Sequence, residues 1–137
     1  MLARYGVVWM LTRIWVRLDC PVKWLDTLTL RTWHRGGKGV FLYRDYDLCV
    51  GQERVGEAVA LWVLPNLETK RMLNLTQTPV QEIEASANGL PPKTKTLRAL
   101  HPKKNAALIE SRLMRYSETD VNGHINNTKY ADFCCDT

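Results

Sequence analysis

Apolar and polar residues alternate along much of the first half of the chain. Within residues 7–18, Ile14, Val16 and Leu18 alternate with Arg13, Trp15 and Arg17, a period of two that predicts a strand, and Pro21 ends it. In residues 27–34, Leu28 and Leu30 alternate with Thr27, Thr29 and Arg31. Arg35-Gly36-Gly37-Lys38-Gly39 reads as a turn, and residues 40–50 resume the strand pattern with Phe41, Tyr43 and Tyr46. Gly51-Gln52 is a second turn into a run over residues 55–64, which Pro65-Asn66 closes. Four strands joined by short links predict an antiparallel meander.

From residue 76 the pattern breaks. Pro79, Gly89, Pro91, Pro92 and Pro102 interrupt a mostly polar stretch, so residues 76–103 read as a connection between two units, 1–75 and 104–137. A fifth strand is expected at about residues 106–115. A polar loop then leads into a helix in which Tyr130, Phe133, Cys134 and Thr137 fall at i, i+3, i+4 and i+7, one apolar face. No stop signal precedes Thr137, so the chain reads as ending inside that helix.

Composition narrows the classes. The 137 residues carry 19 Lys+Arg against 14 Asp+Glu, a net charge of +5, with 45% hydrophobic and 24% charged residues. That is ordinary globular usage, which excludes disorder, collagen and coiled coil, and a chain near this length buries roughly 70% of its unfolded surface. No apolar run reaches the ~18 residues a membrane span needs. Asp19 before Cys20 argues against a lipoprotein site, and no small-x-small cleavage site follows the first apolar run. The expectation is a cytoplasmic protein without membrane contact.

Cys20, Cys49, Cys134 and Cys135 show no C-x-x-C spacing and read as reduced thiols. The three histidines are scattered, so no metal set forms. Gly36-Gly37-Lys38-Gly39 lacks the hydroxyl that a phosphate loop places after its lysine. The five tryptophans fit half-buried sheet better than a platform for nucleic-acid bases. Lys93, Lys95, Arg98, Lys103 and Lys104 form a basic stretch, either a solvated linker or a dock for an acidic partner.

The segment Tyr116-Ser-Glu-Thr-Asp-Val-Asn-Gly-His-Ile-Asn-Asn127 admits two readings. One is a turn and helix cap, with Gly123 permitting positive φ and Asn126 or Asn127 capping. In the other, Asp120, Asn122 and His124 project to one side of an extended stretch just before a helix N-terminus. There, an imidazole takes a proton from water, an amide orients the reacting group, a carboxylate supports the imidazole, and free backbone N–H groups hold developing negative charge. Those are the parts for adding water to an activated carbonyl.

Asp120-Val-Asn-Gly-His-Ile-Asn-Asn-Thr-Lys-Tyr130 is similar to the D-x-N-x-H-[VI]-N-N-x-x-Y segment of fatty acyl–acyl-carrier-protein (acyl-ACP) thioesterases, and related acyl-CoA thioesterases carry similar G-H-x-N-N strings. Gly6-Val-Val-Trp-Met-Leu-Thr-Arg13, Pro21-Val-Lys-Trp-Leu-Asp26, Thr32-Trp33, Tyr43-Arg-Asp-Tyr46, Trp62 and Leu67-Glu-Thr-Lys-Arg71 resemble the acyl-ACP enzymes in order and spacing.

The resemblance implies an α+β fold of two tandem hotdog domains, each an antiparallel sheet wrapped on a helix. It also implies hydrolysis of the thioester between a fatty acyl chain and the phosphopantetheine arm of acyl carrier protein, an acidic partner. No metal or diffusible cofactor is implied. The catalytic positions that carry over are Asp120, Asn122 and His124. By the same analogy the chain is the end of a first hotdog joined to the start of a second. The family's further catalytic acid and a neighbouring cysteine would lie beyond Thr137, and Cys134 and Cys135 do not match that cysteine's place. A homodimer is expected, because a sheet without its helix exposes an apolar face. Two rivals stand beside this reading: a single-hotdog acyl-CoA thioesterase, and a non-catalytic fragment that binds acyl groups or carrier protein.

Overall fold

A computed structural model describes residues 6–74, 97–101, 104–105, 107–121 and 123–136. They divide into two compact units, Met1–Ala99 and Leu100–Thr137. The expected 76–103 connection lies mostly outside the described residues, as do Lys93, Lys95, Lys103, Asn122 and Thr137; Arg98 and Lys104 are exposed.

The first unit is a four-stranded sheet of β1 (Met10–Leu18), β2 (Leu28–Lys38), β3 (Phe41–Val50) and β4 (Glu53–Val63), antiparallel throughout. The four alternating runs each form a strand, as expected. Their spatial order, β1-β4-β3-β2, departs from a simple meander. Only β2, β3 and β4 follow one another. β1 pairs with β4, so the link between β1 and β2 crosses the sheet end over three strand spacings, about 14 Å. That link holds Trp24 and Leu25, both largely exposed, and Leu25 has a φ of 73°.

The expected turn at residues 35–39 is also corrected. β2 runs through Gly36 and Gly37, and the reversal comes after Lys38. The register shifts between His34 and Gly36, and Gly36 has a φ of 101°. This is a β-bulge, in which a glycine takes the positive φ and one residue becomes extra. The extra residue is Arg35. Its guanidinium grips Asp45 on β3, Nε lying 3.0 Å from Oδ1 and 2.9 Å from Oδ2, with Nη2 2.6 Å from Oδ1. Asp45 is fully buried, and the Arg35 guanidinium carbon stands 5.0 Å from the centre of the Tyr43 ring.

Register assigns the faces, since side chains directly opposite one another share a side. Trp15, Val59, Asp45 and Trp33 form one row, and Arg17, Glu57, Asp47 and Arg31 the next. The opposite face carries Ile14, Ala60, Arg44 and His34; then Val16, Ala58, Tyr46 and Thr32; then Leu18, Gly56, Leu48 and Leu30. Along its middle strand this second face is buried, Ala58 and Ala60 included. At its edges Ile14, Val16, Leu18 and Leu30 are more than half exposed. Gly56 allows β1 and β4 to approach closely: a Cβ there would overlap the Arg17 carbonyl oxygen and lie 3.0 Å from Leu18 Cδ2.

In the second unit a 3₁₀ turn (Tyr116–Glu118) precedes helix α1 (Asn127–Asp136). The expected fifth strand does not form over residues 107–115, which join no ladder among the described residues and are exposed. A strand needs a neighbour for its backbone groups as well as an apolar pattern. The expected apolar face of α1 is partly realised: Phe133 is half-buried and meets Tyr130 edge-on with centroids 6.4 Å apart, while Tyr130 and Cys134 are exposed.

Candidate functional site

The helix start is built by Asn126. Its side-chain oxygen accepts the backbone N–H and the hydroxyl of Thr128, both at 3.0 Å, and its carbonyl accepts the Lys129 N–H at 2.9 Å. This is an N-cap, which occupies donors that the first helical turn leaves open. The Asn127 N–H has no hydrogen-bond partner among the described residues. Lys129, in the first turn, is held above its ordinary pKa by the hydrogen bond and charge of Asp132.

The residues before the cap form a closed turn, not the extended stretch in which alternate side chains share a side. Thr119 and Ile125 bridge, the Asp120 N–H donates to the His124 carbonyl at 2.7 Å, and the Gly123 N–H donates to the Asp120 carbonyl at 3.0 Å. Gly123 takes a φ of 73°, which glycine adopts without steric cost. The Asp120 carboxylate accepts the backbone N–H of His124 at 3.2 Å. The turn therefore brings Asp120 and His124 together through the main chain. His124 is exposed and Asp120 half-buried; Asn122, the third expected member, lies outside the described residues.

The sequence reading missed the anchor of this turn. Glu118 is only 9% exposed. Its Oε2 accepts the Arg115 N–H at 2.7 Å, its Oε1 lies 3.3 Å from Arg112 Nη2, and its carbonyl accepts the Asn126 N–H at 2.9 Å. A glutamate in a polar loop carries no sequence signal of burial.

A second feature lies on the first unit, where Trp9, His34, Leu42, Arg44 and Trp62 line a cleft of about 440 Å³. That size falls within the ~300–1,000 Å³ of small-molecule sites. Trp9 and Trp62 meet edge-on at 6.3 Å, His34 Nδ1 accepts the Gly36 N–H, and Arg44 donates to the Thr32 hydroxyl at 3.1 Å. Among the described residues no group of three or more His, Cys, Asp or Glu is placed to hold a metal ion. No described helix is long and apolar enough to cross a membrane.

The decisive comparison is with known families. The model of the acyl-ACP thioesterase N-terminal domain matches residues 1–83. The chain belongs to the acyl-ACP thioesterase family. Among its relatives, the chloroplastic palmitoyl-acyl carrier protein thioesterase of Arabidopsis thaliana is 32% identical over 134 residues, covering 91% of this chain and 32% of that protein. The enzyme of the same name from Cuphea hookeriana is 28% identical over 131 residues, covering 90% and 31%. The chain thus spans about a third of the length of these relatives.

Two solved structures fix the fold of this family member. The acyl-ACP thioesterase of Bacteroides thetaiotaomicron superposes with a TM-score of 0.81 at 20% identity, covering 98% of this chain and 54% of that one. The 12:0-ACP thioesterase of Umbellularia californica gives 0.71 at 23% identity, covering 96% and 53%. The α+β hotdog reading of the sequence holds, and the chain covers about half of each of these structures.

Proposed function

We propose that this family member takes part in releasing fatty acids from acyl carrier protein by thioester hydrolysis, with residues 1–75 the later strands of one hotdog and residues 104–137 the start of a second. The observation that carries the reading is the closed turn that joins Asp120 to His124 immediately before the capped start of α1. His124 takes a proton from water, whose oxygen adds to the thioester carbonyl carbon. The oxyanion is held at the α1 N-terminus, where the Asn127 N–H and the helix dipole favour negative charge. Collapse breaks the carbon–sulfur bond, and the departing thiolate takes the proton from His124. Fatty acid and the free phosphopantetheine thiol are the products. Asn122 orients the reacting group, and Asp120 fixes the turn through the His124 amide and supports the imidazolium by its charge. The cleft between Trp9 and Trp62 is suited to an aliphatic chain.

The partner is acyl carrier protein, whose acidity the net charge of +5 complements. The exposed apolar edges at Ile14, Val16, Leu18 and Leu30 support a homodimer, and sedimentation of the purified chain tests it. A cytoplasmic place is the expectation of the sequence, whereas the plant relatives are named chloroplastic; cell fractionation separates the two.

The central test is hydrolysis of one acyl group carried on acyl carrier protein and on CoA, by this chain and by the full reading frame around it. Carrier protein should be preferred, and the preference should weaken as salt screens charges beyond ~10 Å at 0.1 M. His124→Ala should lower turnover by about 10²–10⁴. Equal or faster hydrolysis from CoA would transfer the protein to the acyl-CoA group, and binding without turnover in the full frame would make it a binding module.

A further inference from the structure

Glu118 and Arg112 stand outside the candidate triad, and between them they contact residues on both sides of it in the sequence. Burying a carboxylate is costly unless it is paired and hydrogen-bonded. Glu118 meets that condition twice, through the Arg115 N–H and the Arg112 guanidinium. Its main chain does separate work, because its carbonyl receives the N–H of Asn126, the residue that caps α1. Arg112 reaches further. Its guanidinium carbon lies 4.1 Å from the centre of the Phe133 ring, seven residues along from the cap. At 1.5 Å per residue, the two attachments on the helix side are about 10 Å apart. One point fixes where the helix begins, and two fix its direction.

We propose that Glu118, held by Arg112, is a positioning residue that locks the Asp120–His124 turn to the N-terminus of α1 so that imidazole and helix amides face one reacting carbonyl. The inference rests on the hydrolytic reading of that turn. The charge on Glu118 serves geometry: its side chain anchors residues 112 and 115 ahead of the turn, and its carbonyl anchors residue 126 behind it. Loss of the carboxylate releases Arg112 from one end while Phe133 still holds the other, which lets the helix axis swing relative to the turn. A displacement near 1 Å in such a site costs about 10²-fold in rate.

The experiment has two arms. In the 137-residue chain, amide exchange is followed by NMR for Glu118→Ala, Glu118→Gln and Arg112→Lys. The Asn126 and His124 amides should exchange at least tenfold faster in Glu118→Ala and take an intermediate rate in Glu118→Gln, which keeps an acceptor but loses the charge. Unchanged exchange at both amides overturns the proposal. In the full reading frame on acyl carrier protein, Glu118→Ala should lower kcat by about 10²-fold with KM little changed, and Arg112→Lys, which keeps the charge but loses the planar stack, by less. All five tryptophans precede residue 63, so an unchanged fluorescence unfolding midpoint shows that the sheet has not been disturbed. His124→Ala separates the two claims. If it abolishes turnover while Glu118→Ala leaves kcat intact, the positioning role is wrong; if His124→Ala is itself without effect, the hydrolytic reading fails and the exchange arm alone decides the clamp.

Discussion

Replacing Asp45 by asparagine removes one charge from the best-buried ion pair of the sheet. Asp45 is fully buried, and its partner side chain, Arg35, is 12% exposed. The asparagine fills the same volume and keeps one acceptor, but it strands the guanidinium beside Tyr43 without its counter-charge. Breaking a buried pair on one side costs ~3–5 kcal/mol, and the retained acceptor places Asp45→Asn near the lower end, about 3 kcal/mol. A domain of this size has a net stability of ~5–15 kcal/mol, so the loss is a large fraction. At roughly 3–4 °C per kcal/mol the unfolding midpoint should fall by about 10 °C. Trp33 lies directly opposite Asp45 in the β2–β3 register, so urea unfolding followed by tryptophan fluorescence reads the right place. Arg35→Met alone should be of similar size, because it leaves a buried carboxylate. The double variant Arg35→Met/Asp45→Leu should recover most of the loss, since apolar replacement of a buried pair is commonly neutral. A loss below 1 kcal/mol for Asp45→Asn, or strict additivity in the cycle, would refute the coupling of Arg35 and Asp45 as a buried ion pair.

Two further substitutions probe the backbone. Gly56→Ala should lower stability by about 1–3 kcal/mol, because the new methyl group overlaps the Arg17 carbonyl and the β1 backbone must move; an unchanged urea midpoint would mean that β1 and β4 are not so close. Leu25→Gly should leave stability unchanged or raise it by up to about 1 kcal/mol, since φ is 73° and the side chain is 86% exposed; a clear loss would show that Leu25 packs against something.

What the sequence could reveal followed from how local each cause is. The strands announce themselves because alternation is a property of neighbouring residues, and the period of two in residues 27–34 survives as β2. Strand order is set by which edges meet, and nothing within residues 10–18 says that they pair with β4 and not β2. Gly36-Gly37 misleads for a similar reason: glycine supplies positive φ to turns and bulges alike, and only the partner strand tells them apart. Residues 107–115 have a strand's composition without a ladder. At the site, Asp, Asn and Gly mark a turn correctly, but the turn's hydrogen bonds decide where side chains go, and they replace the extended geometry that alternation implies. Glu118 was invisible because burial is a property of the folded chain, and Arg112 because its ring contact spans 21 positions.

The two faces of the sheet divide the work of the first unit. One face gathers the charges: Arg17, Asp47 and Glu57 join Arg54 and Asp19 in ion pairs, and Arg35 closes on Asp45. The other face holds Arg44, His34 and Tyr46 as its charged or titratable groups in these register rows, and it is otherwise apolar or lightly polar. Down the middle of that face β4 presents Gly56, Ala58 and Ala60, three small residues in a row where a central strand ordinarily carries large ones. β1 flanks them with Leu18, Val16 and Ile14, and β3 with Leu48, Tyr46 and Arg44; the small residues are themselves buried, and Ala58 packs in one cluster with Leu48 and Val55. The next position along β4 on the same face is Trp62, which meets Trp9 edge-on and lines the 440 Å³ cleft. The small residues of β4 therefore serve packing: a methyl group at Gly56 would meet the Arg17 carbonyl oxygen and Leu18, so side-chain size on β4 sets how closely β1 can lie beside it.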